Sequence, residues 1–382
     1  MNVLLTGTNF LNKGAELMMD AVLDELHSWP EVEAVAMPLE AGSFAERSAS
    51  GAHHLIGRKV DRLPAVEAVI AGVGNVIPRR IASIRGLVRA RDVRLVVDAS
   101  GYSYSDRSGP LPARRSARTY ARYASSGATV VLLPQAFGPF ERDEVREAFR
   151  AMLATTSLAF ARDPESLGYA RGVGDGRARL AVAPDFTIPT LGTPTDAIGR
   201  YRGRACLVPN VRMLRDTDPE TASWYLALLG AVADGLSSHG LEPFVLIHEP
   251  RDAVIVDDLR ARASTVAEVV TDPDPRVLKA IIGSASVAVG SRFHALVSAL
   301  SSGVPAVGIG WSHKYEALFA DFGVPELCLR NGTPADEVVR LAADLASPGG
   351  SAPIRAVLAA RTTALTGAVA EMWAAVRLEA DL

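Results

Sequence analysis

Apolar residues along the chain fall in short, dense runs separated by longer stretches with a helical repeat. The runs stand at Val3–Thr6, Ala34–Met37, Ala68–Ala71, Leu95–Asp98, Val130–Leu133, Leu158–Ala161 and Leu180–Ala183. A second set follows at Cys206–Val208, Phe244–Ile247, Glu268–Val270, Val287–Val289 and Ala306–Ile309. Between them, residues 15–28, 112–126, 141–154, 218–238 and 274–283 repeat with helical spacing. Strand alternating with helix predicts parallel sheets covered by helices on both faces.

The alternation breaks at Thr187–Arg204, a stretch rich in Pro, Gly and Thr with no periodicity. Two Rossmann-like domains are therefore expected, residues 1–190 and 200–350, facing across a cleft in the GT-B-type layout. The Ala-rich residues 351–382 are expected to form a long helix that packs back on the first domain. A chain of 382 residues exceeds one typical core, which agrees with two domains. The formal net charge of −3 gives no general attraction to nucleic acid. Cys206 and Cys328 stand isolated, as expected of a reducing cytoplasm and no metal site. The first strand opens without a basic-then-apolar leader and no run is long enough to span a bilayer, so the expected location is cytoplasmic.

Chemistry concentrates in Ser286–Lys314, SVAVGSRFHALVSALSSGVPAVGIGWSHK. This reads as strand, turn, helix and strand, with Ser291 as helix N-cap and Gly303 as terminator. The first helical turn offers unpaired N–H groups and a positive dipole end, and Arg292 and His294 stand on it. An anion site at the C-terminal end of a strand is one reading. Ordinary α/β punctuation, with a solvated arginine and a satisfied histidine, is the other.

At these residues the chain resembles the polysaccharide pyruvyl transferases, through Ser291-Arg292-Phe293-His294-Ala295, which looks like that family's Ser-Arg-x-His-Ala motif. Further matching segments are Asn9–Glu16 (NFLNKGAE), Asp98–Asp106 (DASGYSYSD), Pro134–Pro139, Ala161–Ser166, Ala183–Asp185, Pro209–Met213 and Gly310–Tyr315. Many members carry Gly-Asp where this chain has Gly14-Ala15-Glu16. The resemblance implies transfer of a pyruvyl group from phosphoenolpyruvate onto two hydroxyls of a sugar, as a cyclic ketal, in a cell-surface polysaccharide or glycolipid precursor. Phosphoenolpyruvate is then a co-substrate, with no further cofactor. The first domain would hold the acceptor, which is free, nucleotide-linked or lipid-linked, and the second the donor.

Such a reaction needs cationic or N–H donors for a phosphate and a carboxylate, an acid for the methylene carbon, and a base for the sugar hydroxyl. His294 is the first choice for the acid; the helix dipole favours its neutral ring and a bound dianion the protonated one. A histidine that only binds phosphate is the alternative. Arg292, Ser291, Asn210, Arg212, His248 and Lys314 are the expected contacts to phosphoenolpyruvate. The resemblance implies that Arg162, after the strand Leu158–Ala161, is essential; otherwise it pairs with Asp163 or Glu165. Asn9, Asn12, Lys13, Gly14, Glu16 and Gln135 offer polar groups to a sugar, Tyr102 and Tyr104 offer rings, and Asp98 or Asp106 offers a base. For each of these a capping or structural role stands as the alternative.

Gly72-Val73-Gly74-Asn75 lacks the third glycine of a dinucleotide fingerprint, and no metal-ligand spacing occurs. Two other classes remain open. A GT-B-type glycosyltransferase is faintly echoed by Gly303-Val304-Pro305 and Glu316, and a non-catalytic carbohydrate-binding protein needs none of the cations at strand ends. Residues 79–122 hold eleven arginines against Asp92, Asp98 and Asp106, and Ile77, Ile81, Ile84 and Val88 recur at helical spacing beside Arg79, Arg80, Arg85 and Arg89. Residues 76–94 are thus expected either to lie on an anionic membrane or to form an ordinary surface helix.

Overall fold

The structure is a computed structural model that describes residues 1–57, 77, 78, 81, 86–174, 177–263, 265 and 268–382. Its contacts divide the chain into two compact units: residues 1–10, 18–186 and 370–382, and residues 11–17 with 187–369.

The first unit is built on an eight-stranded parallel sheet among the described residues, ordered β4-β3-β2-β1-β5-β6-β7-β8. Its strands and helices run β1 (Asn2–Thr6), α1 (Lys13–His27), β2 (Ala34–Met37), α2 (Phe44–Ala49), β3 (His53–Ile56) and β4 (Leu87–Arg89). They continue through β5 (Val93–Asp98), α3 (Leu111–Ser125), β6 (Thr129–Gln135), α4 (Asp143–Leu153), β7 (Leu158–Ala161), α5 (Pro164–Val173) and β8 (Arg179–Val182). Strand order reverses between β1 and β5, the kind of switch point where open α/β sheets leave a crevice. The central strands bury Val3, Leu4, Leu5, Val96, Val97, Val130 and Val131 completely, as parallel strands covered on both faces must.

The second unit holds β9 (Ala205–Val208), α6 (Arg212–Arg215), α7 (Pro219–Ser238), β10 (Pro243–Leu246), α8 (Val254–Arg262), β11 (Val269–Val270) and α9 (Pro275–Ser284). It is completed by β12 (Val287–Gly290), α10 (Phe293–Ser301), β13 (Ala306–Ile309), α11 (His313–Asp321), β14 (Cys328–Leu329), α12 (Ala335–Ala346) and the long α13 (Pro348–Glu379). Its described parallel sheet runs β11-β10-β9-β12-β13-β14, with the reversal between β9 and β12. Helix starts are capped as their sequences dictate: Asp218 accepts from Thr221 N at 2.9 Å before α7, and Asp274 from Arg276 N at 2.7 Å before α9.

Several expectations need correction. Residues 11–17, read as part of the first domain, pack with the second unit. Three strands were missing from the pattern: β3, β4 and β14. His53 and His54 hide β3, because His54 is buried only by accepting from Arg47 Nε at 3.0 Å and bonding Ser48 Oγ at 3.1 Å. Val88, assigned to a helix with Ile77, Ile81 and Ile84, lies in β4 opposite Leu55, after Gly86 turns the chain at φ +66°. Arg89 is buried and bonded to Asp92, not displayed on a surface. Arg79, Arg80, Ile84, Arg85 and the strand Ala68–Ala71 lie outside the described residues.

The last turns of α13 count with the first unit, where Met372, Trp373 and Val376 are buried. Trp373 meets Trp29 edge-on at 6.0 Å and Phe186 at 6.3 Å, and Arg377 bonds Glu31 at 3.2 Å. Among the described residues no helix is long and apolar enough to cross a membrane.

Candidate functional site

In the second unit, β12 delivers the chain into α10 beside the switch point. Ser291 is not the N-cap. Its N–H still donates to Val208 O at 3.1 Å, extending the strand edge, and its hydroxyl bonds Tyr225 at 2.9 Å. Its carbonyl accepts from Asn210 Nδ2 at 2.6 Å and Tyr315 OH at 2.8 Å. Ser291 is fully buried and Asn210 nearly so, so both fix the backbone that carries the next three residues.

Arg292 occupies the N-cap position without capping. Its guanidinium is buried and bonds Asp252 through Nε at 2.8 Å and through Nη2, and Glu249 through Nη1 at 2.6 Å. Burial opposes the charge, but the Asp252 bonds and the charges of both carboxylates outweigh it, and Arg292 remains a cation. Asp252 also accepts from Val211 N at 2.9 Å. The expected phosphate ligand is therefore the hub of a buried ion network.

His294 follows as the second residue of α10, half-buried, with its ring edge-on to Phe293 at 5.3 Å. Gly14 packs against it: a Cβ at Gly14 would sit 2.5 Å from His294 Nδ1. The α1 start reaches this place because Asn12 caps it, accepting from Gly14 N at 2.9 Å, while Asn12 Nδ2 donates to Glu249 at 3.4 Å. Lys13 N donates to His248 O at 3.1 Å, and Lys13 Nζ bonds Glu16 at 2.5 Å and Pro273 O at 2.7 Å. Asn12, Lys13, Gly14 and Glu16, expected in the acceptor domain, thus belong to the same unit as His294.

His248, just beyond β10, is buried and held well below the usual imidazole range, first by burial and then by the charges of Arg292, His294 and Lys13. Its ring is neutral at neutral pH in a locally positive setting. Lys314 is buried with Nζ 4.5 Å from the Trp311 ring centre, 5.3 Å from Tyr315 and 5.5 Å from Phe293, a set of cation–π contacts. Arg212 is exposed, bonded to Asp216 at 3.2 Å and 6.0 Å from Trp311.

The first unit has its own buried polar cluster at its switch point. Asp98 is completely buried; one oxygen accepts from Ser100 N at 2.9 Å and Oγ at 2.5 Å, the other from Tyr104 OH at 2.5 Å and Tyr120 OH at 2.6 Å. Burial raises its pKa above the usual carboxylate range against the pull of these bonds. Every lone pair is engaged, so Asp98 is a structural hub instead of the expected base. Tyr104 is buried and has no free ring face for a sugar. Tyr102 is half-buried and donates to Gly138 O at 3.0 Å. Asp106 accepts from Glu141 N at 2.7 Å and Arg142 N at 3.2 Å, fixing the turn into α4. Gln135 is fully buried with Nε2 3.4 Å from Asp98 O. Asn9, half-buried, follows β1 in the same unit. Arg162 pairs with Asp185 at 2.9 Å, both buried, and Asp163 caps α5 by accepting from Ser166 N at 2.7 Å.

Asp252, Glu249, Tyr225, Tyr315 and Asp185 escaped the sequence reading. Asp185 and Tyr315 alone carried a signal, as the last residues of the Ala183–Asp185 and Gly310–Tyr315 segments. Among the described residues no group of His, Cys, Asp and Glu is arranged to hold a metal ion.

The family model described as polysaccharide pyruvyl transferase matches residues 12–313. No curated protein matches the chain. Among solved structures, a UDP-GlcNAc 2-epimerase from Neisseria meningitidis bound to UDP-GlcNAc superposes with a TM-score of 0.59 at 10% identity, covering 98% of this chain and 99% of that one. Anabaena HepE in complex with UDP-glucose gives 0.56 at 14% identity, covering 98% and 100%. At such identity the likeness is one of fold: two parallel-sheet α/β domains of GT-B type.

Proposed function

The chain belongs to the polysaccharide pyruvyl transferase family, and from that premise we propose that it transfers the pyruvyl group of phosphoenolpyruvate to two hydroxyls of a sugar as a cyclic ketal. The observation that carries this reading is the gathering of Lys13, His248, Arg292 and His294 around the β10 and β12 ends, where the fields of the other three all push the neutral His248 ring further from protonation. A phosphate or carboxylate entering there meets a positive field that the protein has built in advance.

In the proposed step, protonation of the phosphoenolpyruvate methylene carbon makes C2 electrophilic. One sugar hydroxyl attacks C2, and its proton goes to the group that protonated the methylene carbon, which restores the acid. The C2–O bond to phosphate then breaks, phosphate departs, and the second hydroxyl closes the ketal while its proton leaves with phosphate. His294, the half-buried imidazole on the first turn of α10, is the acid. Arg292 acts through Asp252 and Glu249 to hold that turn in place. The acceptor is a sugar of a polysaccharide or glycolipid precursor.

Thermal unfolding with added ligands tests this. Phosphoenolpyruvate at a hundred times its Kd should raise stability by about 2.7 kcal/mol. Stabilisation by a uridine diphosphate instead would overturn the donor assignment.

A further inference from the structure

We propose that the exposed face of α3 docks the protein on an anionic bilayer surface. At 3.6 residues per turn, Leu111, Arg114, Arg115, Arg118 and Arg122 fall within an arc of about 100°. All five are exposed, whereas Ala113, Tyr120 and Tyr123 on the opposite side are buried against the sheet. The helix carries no acidic residue at all.

Among the described residues no acid is bonded to this face. Residues 86–128 hold eight arginines and three acids in a chain whose formal net charge is −3. Each of the three acids is already committed: Asp92 to Arg89, Asp98 inside the core, and Asp106 to the turn before α4. Helix α4 packs beside α3; its Asp143 and Glu144 are bonded to Arg146 and Arg142, and its exposed Glu147 is paired with none of the four arginines. Among the described residues no carboxylate is paired with Arg114, Arg115, Arg118 or Arg122.

The chemistry of the face selects the partner. Single strands of nucleic acid want exposed aromatic rings to stack on, and the two tyrosines of α3 are 2% and 6% exposed. A protein partner wants a buried apolar anchor, and no cluster of such residues stands on the arc. A straight row of guanidiniums with one leucine at its end, Leu111 at 59% exposure, matches the headgroup layer of an anionic membrane, with the leucine reaching the acyl boundary. The surface is thus a peripheral docking site on α3, distinct from residues 76–94.

The test is flotation of the full chain with vesicles of phosphatidylglycerol and phosphatidylcholine in equal parts, with pure phosphatidylcholine as control. Binding should occur at low salt on the anionic vesicles alone and weaken as salt rises. Arg114→Glu/Arg118→Glu/Arg122→Glu should abolish it, and the Gln triple should weaken it by about a hundredfold, at roughly fivefold per arginine. Both variants should melt like the wild type, since the changed side chains are exposed. No flotation of wild type at low salt, or equal flotation of the Glu triple, overturns the proposal. So does charge-dependent binding of duplex DNA by a chain that ignores the vesicles.

Discussion

Gly14→Ala isolates what the approach of α1 does for His294. The added Cβ would stand 2.5 Å from Nδ1, 2.8 Å from Cγ and 2.9 Å from Cβ of His294. Carbon–heavy-atom contacts settle near about 3.5 Å, so the ring must retreat by about 1 Å. The clash includes His294 Cβ, so a rotamer change at the ring tip is not enough. Overpacking of this kind costs about 1–3 kcal/mol, and a 1 Å misplacement of a reacting group costs about a hundredfold in rate. Phosphate release from phosphoenolpyruvate in the presence of acceptor should therefore fall about a hundredfold, more than the loss of stability explains. A double-mutant cycle sharpens this: in a His294→Ala background the contacts with Nδ1 and Cγ are gone and only the 2.9 Å approach to Cβ remains, so adding Gly14→Ala should cost clearly less stability than in the wild type. Equal destabilisation in both backgrounds, or activity within a few-fold of wild type, would refute the reasoning.

His294→Ala should lose nearly all transfer while melting close to wild type, since the ring is half-buried; retention of activity within a few-fold removes it as the acid. Arg292→Ala leaves Asp252 buried without its cation and Glu249 with Arg251 alone, and should cost about 3–5 kcal/mol in urea unfolding, and Arg292→Lys, which loses the fork, should recover only part of it. Arg162→Ala removes the buried cation beside Asp185, so its loss of activity should come with a loss of stability, contrary to its expected place outside the core. His53, His54 and His248 are held below the ordinary imidazole range, first by burial, so the unfolded chain takes up their protons sooner. Stability should be complete above about pH 6.5 and decline as pH falls below it, towards the native values; a flat urea midpoint across this window would contradict the burial argument. Turnover should be unchanged by a chelator, and rescue of a chelated enzyme by a divalent ion would overturn that.

The sheets were legible because parallel strands covered on both faces must be apolar throughout. Ala34–Met37, Leu158–Ala161 and Ala306–Ile309 emerge with the bounds the pattern gives. Where polar groups enter a strand the signal fails, as at His53-His54, whose burial depends on Arg47 and Ser48 from a neighbouring helix. The site was legible as a list and illegible as an arrangement. Periodicity places Arg292 and His294 on one helical turn, but it cannot see that Asp252 and Glu249, some forty residues earlier, claim the guanidinium. Nor does any local pattern reveal that Asn12 is held by Glu249, because that bond spans 237 residues. Asp98 and Tyr104 looked accessible for the same reason: a strand end is a place for ligands only when its lone pairs are not already taken.

The first unit is closed by the last turns of α13, so its core is written on both sides of residues 187–369, nearly all of the second unit. During synthesis the second unit can complete its core while the first still lacks Trp373 and Val376. Until then Trp29 and Phe186 present bare aromatic surface, a contact of very high sequence separation that forms late. Residues 1–190 expressed alone should behave as a sticky, incomplete body, soluble only when residues 370–382 are supplied as a peptide or joined by circular permutation. The order of maturation is thus the reverse of the order of translation.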